Sequence, residues 1–380
     1  MEGRLLTLDA MRGVAAIVVV YYHSAIITDA ACFDPTCNVR FGFLAVDMFF
    51  ALSGFVLSHS YDRSFDNGLS PWAFMKKRLV RLMPIYWLGL LVALPIAVLE
   101  VAKGGQTIDG LLGTTAFNAI VLPFPGAATQ VTVVSLLRPA WSLFFELWVA
   151  NLLFALFWRQ LRGAGLAAVI VASMAALVVA TLHHGSLDVG PVWHTFLGGF
   201  PRVLFSFFLG VALRRWAVRL PALRLPSPVL LVATVATFFV PVARGWEPVF
   251  ELACVALVYP VLIYAGAGAT ETRPRLAKLL GDASYALYLI HMPLLDMLEK
   301  SMRRVGIAPN QAAAALFVIV AVVCAVLIDA VYDRRARRLL DRLLAPRRGA
   351  APTGPAVPAE VAHAPAWSMQ PAVVGHGGRI

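Results

Sequence analysis

Long apolar runs recur through the whole of this 380-residue chain, and they constrain its fold more than any other feature. A helix that spans a bilayer needs about 20 mostly apolar residues. Eleven segments approach that length: 11–29, 41–60, 79–101, 108–124, 139–158, 165–182, 194–213, 228–243, 248–266, 281–299 and 312–332. Hydrophobic residues make up 60% of the chain and charged residues 14%, whereas soluble domains hold about half and about a quarter. The sequence therefore predicts an all-α polytopic membrane protein and excludes a soluble or disordered one.

The placement of basic residues indicates how many of these segments span. The formal net charge is +11, but the 32 Lys and Arg are spread over short stretches between apolar runs, which favours topology signals over nucleic-acid binding. Segment 108–124 is the weakest candidate, because it is short and is broken at its end by Pro123-Phe124-Pro125. If it is re-entrant or interfacial, ten helices span and both termini are cytoplasmic. Twenty-three basic residues then lie inside and seven outside, with the cluster at 300–304 as the discordant outer patch.

The remaining compositional features set the domain limits. Residues 1–345 are predicted to form the membrane domain, and residues 346–380, rich in Ala, Pro and Gly, a disordered cytoplasmic tail. Four cysteines are too few for a disulfide scaffold, and no CxxC pair is present for zinc. Cys32 and Cys37 share the first outer loop, where they form either a disulfide or two free thiols.

At least five ionisable residues lie deep inside predicted spans, where a charge is costly unless it finds a partner, and five of them can be compared by depth. Counting 1.5 Å per residue along each helix places all five in the outer half of the bilayer: His23, Asp47, Glu146, Arg202 and His291. One interpretation is structural, with neutral buried imidazoles and an Asp47–Arg202 or Glu146–Arg202 ion pair. The common depth favours a catalytic site instead, in which His23 removes a proton from a hydroxyl while Asp47 or Glu146 orients the ring. The common depth requires that segment 108–124 does not span.

Basic residues also crowd the cytoplasmic start of the third span, at 76–81. They either anchor the protein on anionic lipid or bind phosphate, because Arg78 and Arg81 are three residues apart on a helix and present two guanidinium groups together. A nucleotide-bearing acyl carrier such as coenzyme A would place its phosphates there and extend its arm toward His23. Arg12 lies on the same face of the first helix as His23, about 16 Å away.

Five short motifs follow one another in order on the predicted helices: LDAMRG at 8–13 with His23, VDMFFALSGF at 46–55, RLVRLMPIY at 78–86, WSL at 141–143 with Glu146, and SYALYLIH at 284–291. Together they closely resemble those of the acyltransferase-3 family of bacterial membrane O-acyltransferases. That family modifies surface sugars, exported glycolipids and some antibiotics. The resemblance covers residues 6–333, and it departs from the family at Tyr332-Asp333-Arg334, so no role is assigned to Asp333.

The resemblance implies a multi-pass O-acyltransferase of the bacterial inner membrane. It would transfer an acyl group, which we expect to be acetyl, from cytoplasmic acyl-coenzyme A to a hydroxyl of a surface polysaccharide, glycolipid or exported glycoside. Arg12 and His23 would be essential, and we expect Arg12, Arg78 and Arg81 to bind the donor. Contacts to the acceptor or thioester are expected from four further residues: Arg202, His291, Ser142 and Trp141. The co-substrate is acyl-coenzyme A, the other partners are the carbohydrate or glycolipid acceptor and membrane lipid, and no permanently bound cofactor or metal is expected.

Other mechanisms and function classes remain as alternatives. Ser142 beside Glu146 keeps a serine nucleophile open, although no G-x-S-x-G motif is present, and an acyl-histidine intermediate is also open. Charges within the membrane mark transport pathways too, so a transporter or flippase of a small or lipid-linked substrate is the rival function. A membrane sensor without turnover is the third. Turnover of acyl-coenzyme A by the purified protein separates the first class from the other two.

Overall fold

The computed structural model describes residues 4–25, 39–125, 132–216, 223, 225–308 and 310–344. Eleven helices in this part of the chain coincide with the eleven apolar segments: α1 (Leu6–Ser24), α2 (Gly42–Asp66), α3 (Pro71–Ala102), α4 (Ile108–Ala119), α5 (Arg138–Leu156), α6 (Gly163–His184), α7 (Trp193–Trp216), α8 (Ser227–Ala236), α9 (Glu247–Gly268), α10 (Pro274–Arg304) and α11 (Gln311–Leu344). The described residues form no strand beyond a single bridge between Thr132 and Val192. The all-α class is therefore confirmed. The predicted tail at 346–380 and both Cys32 and Cys37 lie outside the described residues.

The lengths of the helices agree with a multi-pass membrane protein. Within the described residues, seven helices are long and apolar enough to cross a membrane: α2, α3, α5, α6, α7, α9 and α11. Helix α4 has 12 residues and α8 has 10, so they extend about 18 and 15 Å, against a hydrocarbon core of about 30 Å. Neither helix is long enough to span by itself, so length does not distinguish segment 108–124 from α8, and the re-entrant or interfacial assignment of 108–124 stays a prediction. The count of ten spans stays a prediction.

The end of α4 is held inside the bundle by hydrogen bonds to its backbone. Tyr86 Oη donates to the carbonyl of Asn118, and the indole Nε1 of Trp87 donates to the carbonyl of Ala119 at 2.9 Å. Trp148 Nε1 donates to the carbonyl of Ile120 at 3.0 Å. The bonds to Ala119 and Ile120 satisfy backbone acceptors that would otherwise be unpaired in an apolar setting, which is the condition for ending a helix at membrane depth.

Two close helix pairs form the centre of the bundle, α1 against α10 and α2 against α7. The second pair depends on glycine, because a methyl group at Gly54 would overlap the carbonyl oxygen of Phe207 and one at Gly210 would overlap that of Ala51. Small residues let two backbones approach in this way and are typical of packing between membrane helices. Gly54 and Gly210 therefore allow α2 and α7 to approach closely. Below, the end of the bundle at which α1 and α3 begin is called the inner end, and the opposite end the outer end.

Candidate functional site

Three cavities follow one another between the two ends of the bundle. An inner cavity of about 330 Å³ adjoins a middle cavity of about 140 Å³, and Arg12 and Arg81 line both. The middle cavity adjoins an outer cavity of about 540 Å³, and Val46 and Tyr288 line both. The five motifs of the sequence thus enclose a path that runs from the inner end of α1 and α3 to the outer part of the bundle.

The two histidines of the sequence prediction lie together beside the outer cavity. His23 Nδ1 is 2.9 Å from the carbonyl oxygen of Val19, and His291 Nδ1 is 3.1 Å from that of Leu287. His291 Nε2 is 3.3 Å from His23 Nδ1. His291 is fully buried, whereas His23 is half-buried and lines the cavity. Each ring is therefore fixed by its own helix and by the other ring.

These contacts determine which nitrogen carries the proton. A carbonyl oxygen can only accept a hydrogen bond, so Nδ1 must be the protonated nitrogen in both rings. His291 Nε2 is then an acceptor that faces the Nδ1–H of His23. His23 Nε2 consequently keeps a free lone pair, which is the form of the ring that can remove a proton from a hydroxyl. Within the described residues, no group of three or more His, Cys, Asp or Glu side chains could hold a metal ion.

The carboxylate of Asp47, which the sequence offered as a partner of His23, is bonded to Arg202 instead. Arg202 Nε lies 3.0 and 3.1 Å from the two oxygens of Asp47, and Nη2 lies 2.8 Å from Oδ2. The other N–H groups of Arg202 donate to the carbonyls of Val189 and Phe43, at 2.9 and 3.1 Å. Both side chains of the ion pair are fully buried. Asp47 and Arg202 therefore form the buried ion pair that the sequence analysis gave as the alternative to a catalytic role, and this pair joins α2 to α7.

Two further residues connect this ion pair to the outer cavity. Asp188, in the loop before α7, lies 3.4 Å from Arg202 Nη1 and lines the cavity. Burial raises the pKa of the Asp188 carboxyl, and the nearby charge of Arg202 opposes that shift. Trp141 lies with its ring centroid 5.3 Å from the guanidinium carbon of Arg202 and also lines the cavity. Arg202 thus supports the wall of the cavity through its neighbours.

Glu146 occupies a deeper level than the sequence predicted. Ser53 Oγ donates to Glu146 Oε1 at 2.6 Å, and Arg78 Nη2 donates to the same oxygen at 3.0 Å. Ser53 follows Asp47 by six residues, so Glu146 lies about 9 Å further along α2 toward the inner end. The prediction that Glu146 shares one layer with Asp47 is wrong, because the long Arg78 side chain reaches up to it. A π-helical turn at Phe145–Asn151 also changes the register of α5 at this point.

The three arginines predicted to bind the donor do come together, in the middle cavity. Arg12 is held in place by Ser284 Oγ at 3.0 Å and Asp9 Oδ1 at 2.8 Å. Arg78 pairs with Glu146 as described, and its buried Nε–H has no partner among the described residues. The Arg81 guanidinium lines both the middle and inner cavities and has no hydrogen-bonding partner in the described part of the chain. Free guanidinium donors therefore remain available on this stretch of the path.

The narrow junction between the middle and outer cavities is formed by polar and apolar groups together. Ser142 Oγ and Tyr288 Oη lie 2.8 Å apart, and both donate to the carbonyl of Pro139, at 3.1 and 3.0 Å. The Tyr288 ring packs edge-on against Phe49 at 5.6 Å, and Val46 completes the junction. The partners of Ser142 are thus a hydroxyl and a carbonyl. Neither is a base that would activate a serine nucleophile.

Sequence reasoning missed several residues that line this path. Tyr288 and Ser284 were inside a recognised motif but had no assigned role, and the structure places them at the junction and on Arg12. Arg138 and Asp188 lie in the outer cavity and belong to no motif. The discordant basic cluster at 300–304 was the one available signal, because Arg303 lines the same cavity.

A family model described as an acyltransferase domain matches residues 5–330 of the chain. Two curated relatives cover most of it. Acyltransferase MdmB of Streptomyces mycarofaciens is 27% identical over 89% of this chain and 93% of its own length. The exopolysaccharide production protein ExoZ of Rhizobium meliloti is 29% identical over 70% of this chain and 80% of its own length.

A third relative is shorter. Protein 2 in the picA locus of Rhizobium radiobacter is 37% identical over 47% of this chain and 94% of its own length. No solved structure matches the chain.

Proposed function

The chain belongs to the acyltransferase-3 family, whose domain spans its residues 5–330, and we propose that it is a membrane O-acyltransferase that acts on sugar-containing acceptors. It is an acyltransferase of groups other than aminoacyl groups and a multi-pass membrane protein. In our proposal the donor is acyl-coenzyme A, with acetyl as the acyl group. The acceptor is a hydroxyl of a surface polysaccharide, glycolipid or exported glycoside.

The observation that carries this proposal is the series of cavities that leads from the arginines to His23. The inner and middle cavities share Arg12 and Arg81, and the middle and outer cavities share Val46 and Tyr288. A donor with a phosphorylated head and a long thin arm fits a path that is basic at one end and narrow at its centre. Its thioester would then lie at the junction, next to the cavity that His23 lines.

The guanidinium groups at the inner part of the path suit the phosphates of coenzyme A. Arginine binds phosphate with paired N–H donors, and such charge-assisted bonds are stronger than neutral ones. Arg81 has its donors free within the described residues, and Arg78 keeps its Nε–H free. Arg12 is instead held by Asp9 and by Ser284, which presents one fixed edge of its guanidinium to the cavity.

The chemical step then follows from the state of His23. The free Nε2 lone pair removes the proton of the acceptor hydroxyl as its oxygen attacks the thioester carbonyl. The tetrahedral intermediate collapses with loss of the coenzyme A thiolate, which takes up the proton from Nε2 and leaves as the thiol. His291 and the carbonyl of Val19 hold the ring during both transfers. In this mechanism the carbonyl takes the orienting role that the sequence analysis gave to a carboxylate.

The orientation and the acceptor are also part of the proposal. The excess of basic residues in the inner segments supports a cytoplasmic inner end, with both described termini on that side of a bacterial inner membrane. Acyl-coenzyme A would then enter from the cytoplasm. The word exopolysaccharide in the name of one relative supports a carbohydrate acceptor, and the aromatic rings of Tyr22, Phe43 and Trp141 in the outer cavity offer flat faces for a sugar ring.

The test uses the purified full chain in lipid nanodiscs with radiolabelled acetyl-coenzyme A. We expect thioester turnover and transfer of label to glycans of cells that lack the gene. His23→Ala should lower the rate by a factor of about 10² to 10⁴, since it removes the general base. His184→Ala, on the exposed end of α6, is the matched control and should turn over normally.

The outcome separates the competing functions. Transport of a glycoside without thioester cleavage would replace the acyltransferase mechanism with the transporter alternative. A His23→Ala variant that is as active as the wild type would remove the base assignment.

A further inference from the structure

A fourth cavity of about 450 Å³ lies beside the outer cavity, between the outer parts of α3 and α10, and is called the side cavity here. Arg138 and Thr132 line both cavities, so the two adjoin. Its volume lies within the range of about 300–1,000 Å³ typical of ligand pockets. The mechanism above does not use it.

The charged residues of the side cavity form two ion pairs. Arg138 pairs with Asp296, and Lys300 Nζ lies 2.6 Å from Glu100 Oε1. The four side chains are 30–42% exposed, so a ligand in the cavity can reach them. Two positive and two negative charges leave the lining without net charge, which disfavours an anion or a cation as its ligand.

The lining instead matches a neutral molecule with many hydroxyl groups. The guanidinium and ammonium groups only donate hydrogen bonds and the carboxylates only accept them, whereas a hydroxyl does both. Gln106, Ser135 and Thr132 add amide and hydroxyl groups to the same cavity. An acyl chain placed there would leave these polar groups desolvated without partners, at a cost of about 1–3 kcal/mol each.

We infer that the side cavity binds a second sugar residue of the acceptor, next to the residue whose hydroxyl is acylated in the outer cavity. The outer cavity has the same balance of charge, with Arg138 and Arg303 against Asp188 and Glu299. The two cavities together form an extended site for a neutral saccharide of at least two residues. This inference rests on the proposed O-acyltransferase function and specifies its acceptor.

The inference also accounts for the basic cluster at 300–304, which the positive-inside tendency disfavours on the outer side. Lys300 is paired with Glu100 and Arg303 with Glu299, at 2.6 and 2.8 Å. These charges are locally neutralised and line ligand cavities, so they do not act as topology signals. Their place in the site gives a reason for basic residues at the outer end.

The test fills the side cavity without touching His23 or the arginines of the donor path. Ala97→Phe places a ring in the side cavity, whereas Val98→Phe, the next residue of α3, points away from it and is the matched control. The acceptors are oligosaccharides released from envelope glycan of cells that lack the gene, and the monosaccharides obtained from the same sample by complete hydrolysis. Transfer of labelled acetyl is measured for both, beside thioester hydrolysis without acceptor.

We expect the wild type and Val98→Phe to have a KM for the oligosaccharides at least about tenfold lower than for the monosaccharides, since one or two extra hydrogen bonds correspond to that factor. Ala97→Phe should abolish this preference while its KM for monosaccharides and its thioester hydrolysis stay at the wild-type level. If Ala97→Phe fails to fold, Gln106→Ala is used, with a smaller loss of the same preference expected.

The failures are distinguishable. Equal KM values for both acceptors in the wild type, or an unchanged preference in Ala97→Phe, would overturn the inference and leave the acyltransferase function standing. The absence of transfer to either acceptor would overturn the proposed function, and the inference with it.

Discussion

Replacement of Asp47 by asparagine distinguishes a structural from a catalytic role for this carboxylate. Asparagine keeps the size of the side chain and removes its charge, so Arg202 loses its main counter-ion at a site where both side chains are fully buried. The carbonyls of Val189 and Phe43 still accept from Arg202 but carry no formal charge, and the carboxylate that remains, Asp188, is 3.4 Å away and partly exposed. The structure therefore predicts a loss of stability and an intact active site in the molecules that remain folded.

The expected size follows from the burial of the pair. Removing one partner of a buried ion pair costs about 3–5 kcal/mol. With about 2–4 °C per kcal/mol, the midpoint of thermal unfolding in detergent should fall by about 6 °C or more. The activity per folded molecule of Asp47→Asn should stay within about threefold of the wild type, because no lost contact reaches His23. Loss of a carboxylate that orients a catalytic histidine would instead cost a factor of about 10⁴.

The chain provides its own control for this prediction. Asp62 and Arg215 join the same two helices at the inner end, with contacts of 2.7 and 2.8 Å, but they are partly exposed. Asp62→Asn should cost about 1 kcal/mol or less. A double variant with Asp47→Leu and Arg202→Met removes both buried charges and should recover much of the lost stability. A stable Asp47→Asn protein whose activity has fallen by a factor of about 10³ or more would refute the structural assignment.

Three further predictions concern other parts of the path. Arg81→Ala should raise the KM for acetyl-coenzyme A by about 10- to 100-fold with little change in kcat, because one charged phosphate contact is worth about 1.5–3 kcal/mol. Steady-state kinetics measures both constants, and an unchanged KM would indicate that Arg81 binds lipid and not the donor. Gly54→Ala should lower the free energy of unfolding by about 1–3 kcal/mol in the same thermal assay, because its methyl group overlaps a backbone carbonyl. The control, Gly268→Ala, should be nearly neutral, since its methyl group meets nothing closer than 3.4 Å. Val46→Ala widens the junction between the middle and outer cavities. Turnover of butanoyl-coenzyme A relative to acetyl-coenzyme A, measured with the two donors in parallel, should rise by about tenfold. An unchanged ratio would show that other residues limit the length of the acyl group.

The sequence by itself predicted the elements of this fold and the identity of most residues on the path. Apolar length and charge are local properties, so the eleven helices and the short α4 are readable from the chain alone. The arginines at 78 and 81 are one helical turn apart, and their meeting in one cavity follows from that spacing. The ordered motifs identified the family in the same way.

Only the tertiary structure decided which of these side chains bond to one another. The depth counted along each helix placed Asp47 level with Arg202, its observed partner. It misplaced Glu146, because such a count includes neither the reach of a long arginine side chain nor the π-helical turn in α5. The orientation of His23 depends on its own helix and on a ring 268 positions away, which no local pattern contains. The side cavity likewise forms from α3 and α10, which are far apart in the chain. Helix formation is governed by interactions between near neighbours, whereas a site between helices depends on how they pack, and that packing is a property of the folded molecule as a whole.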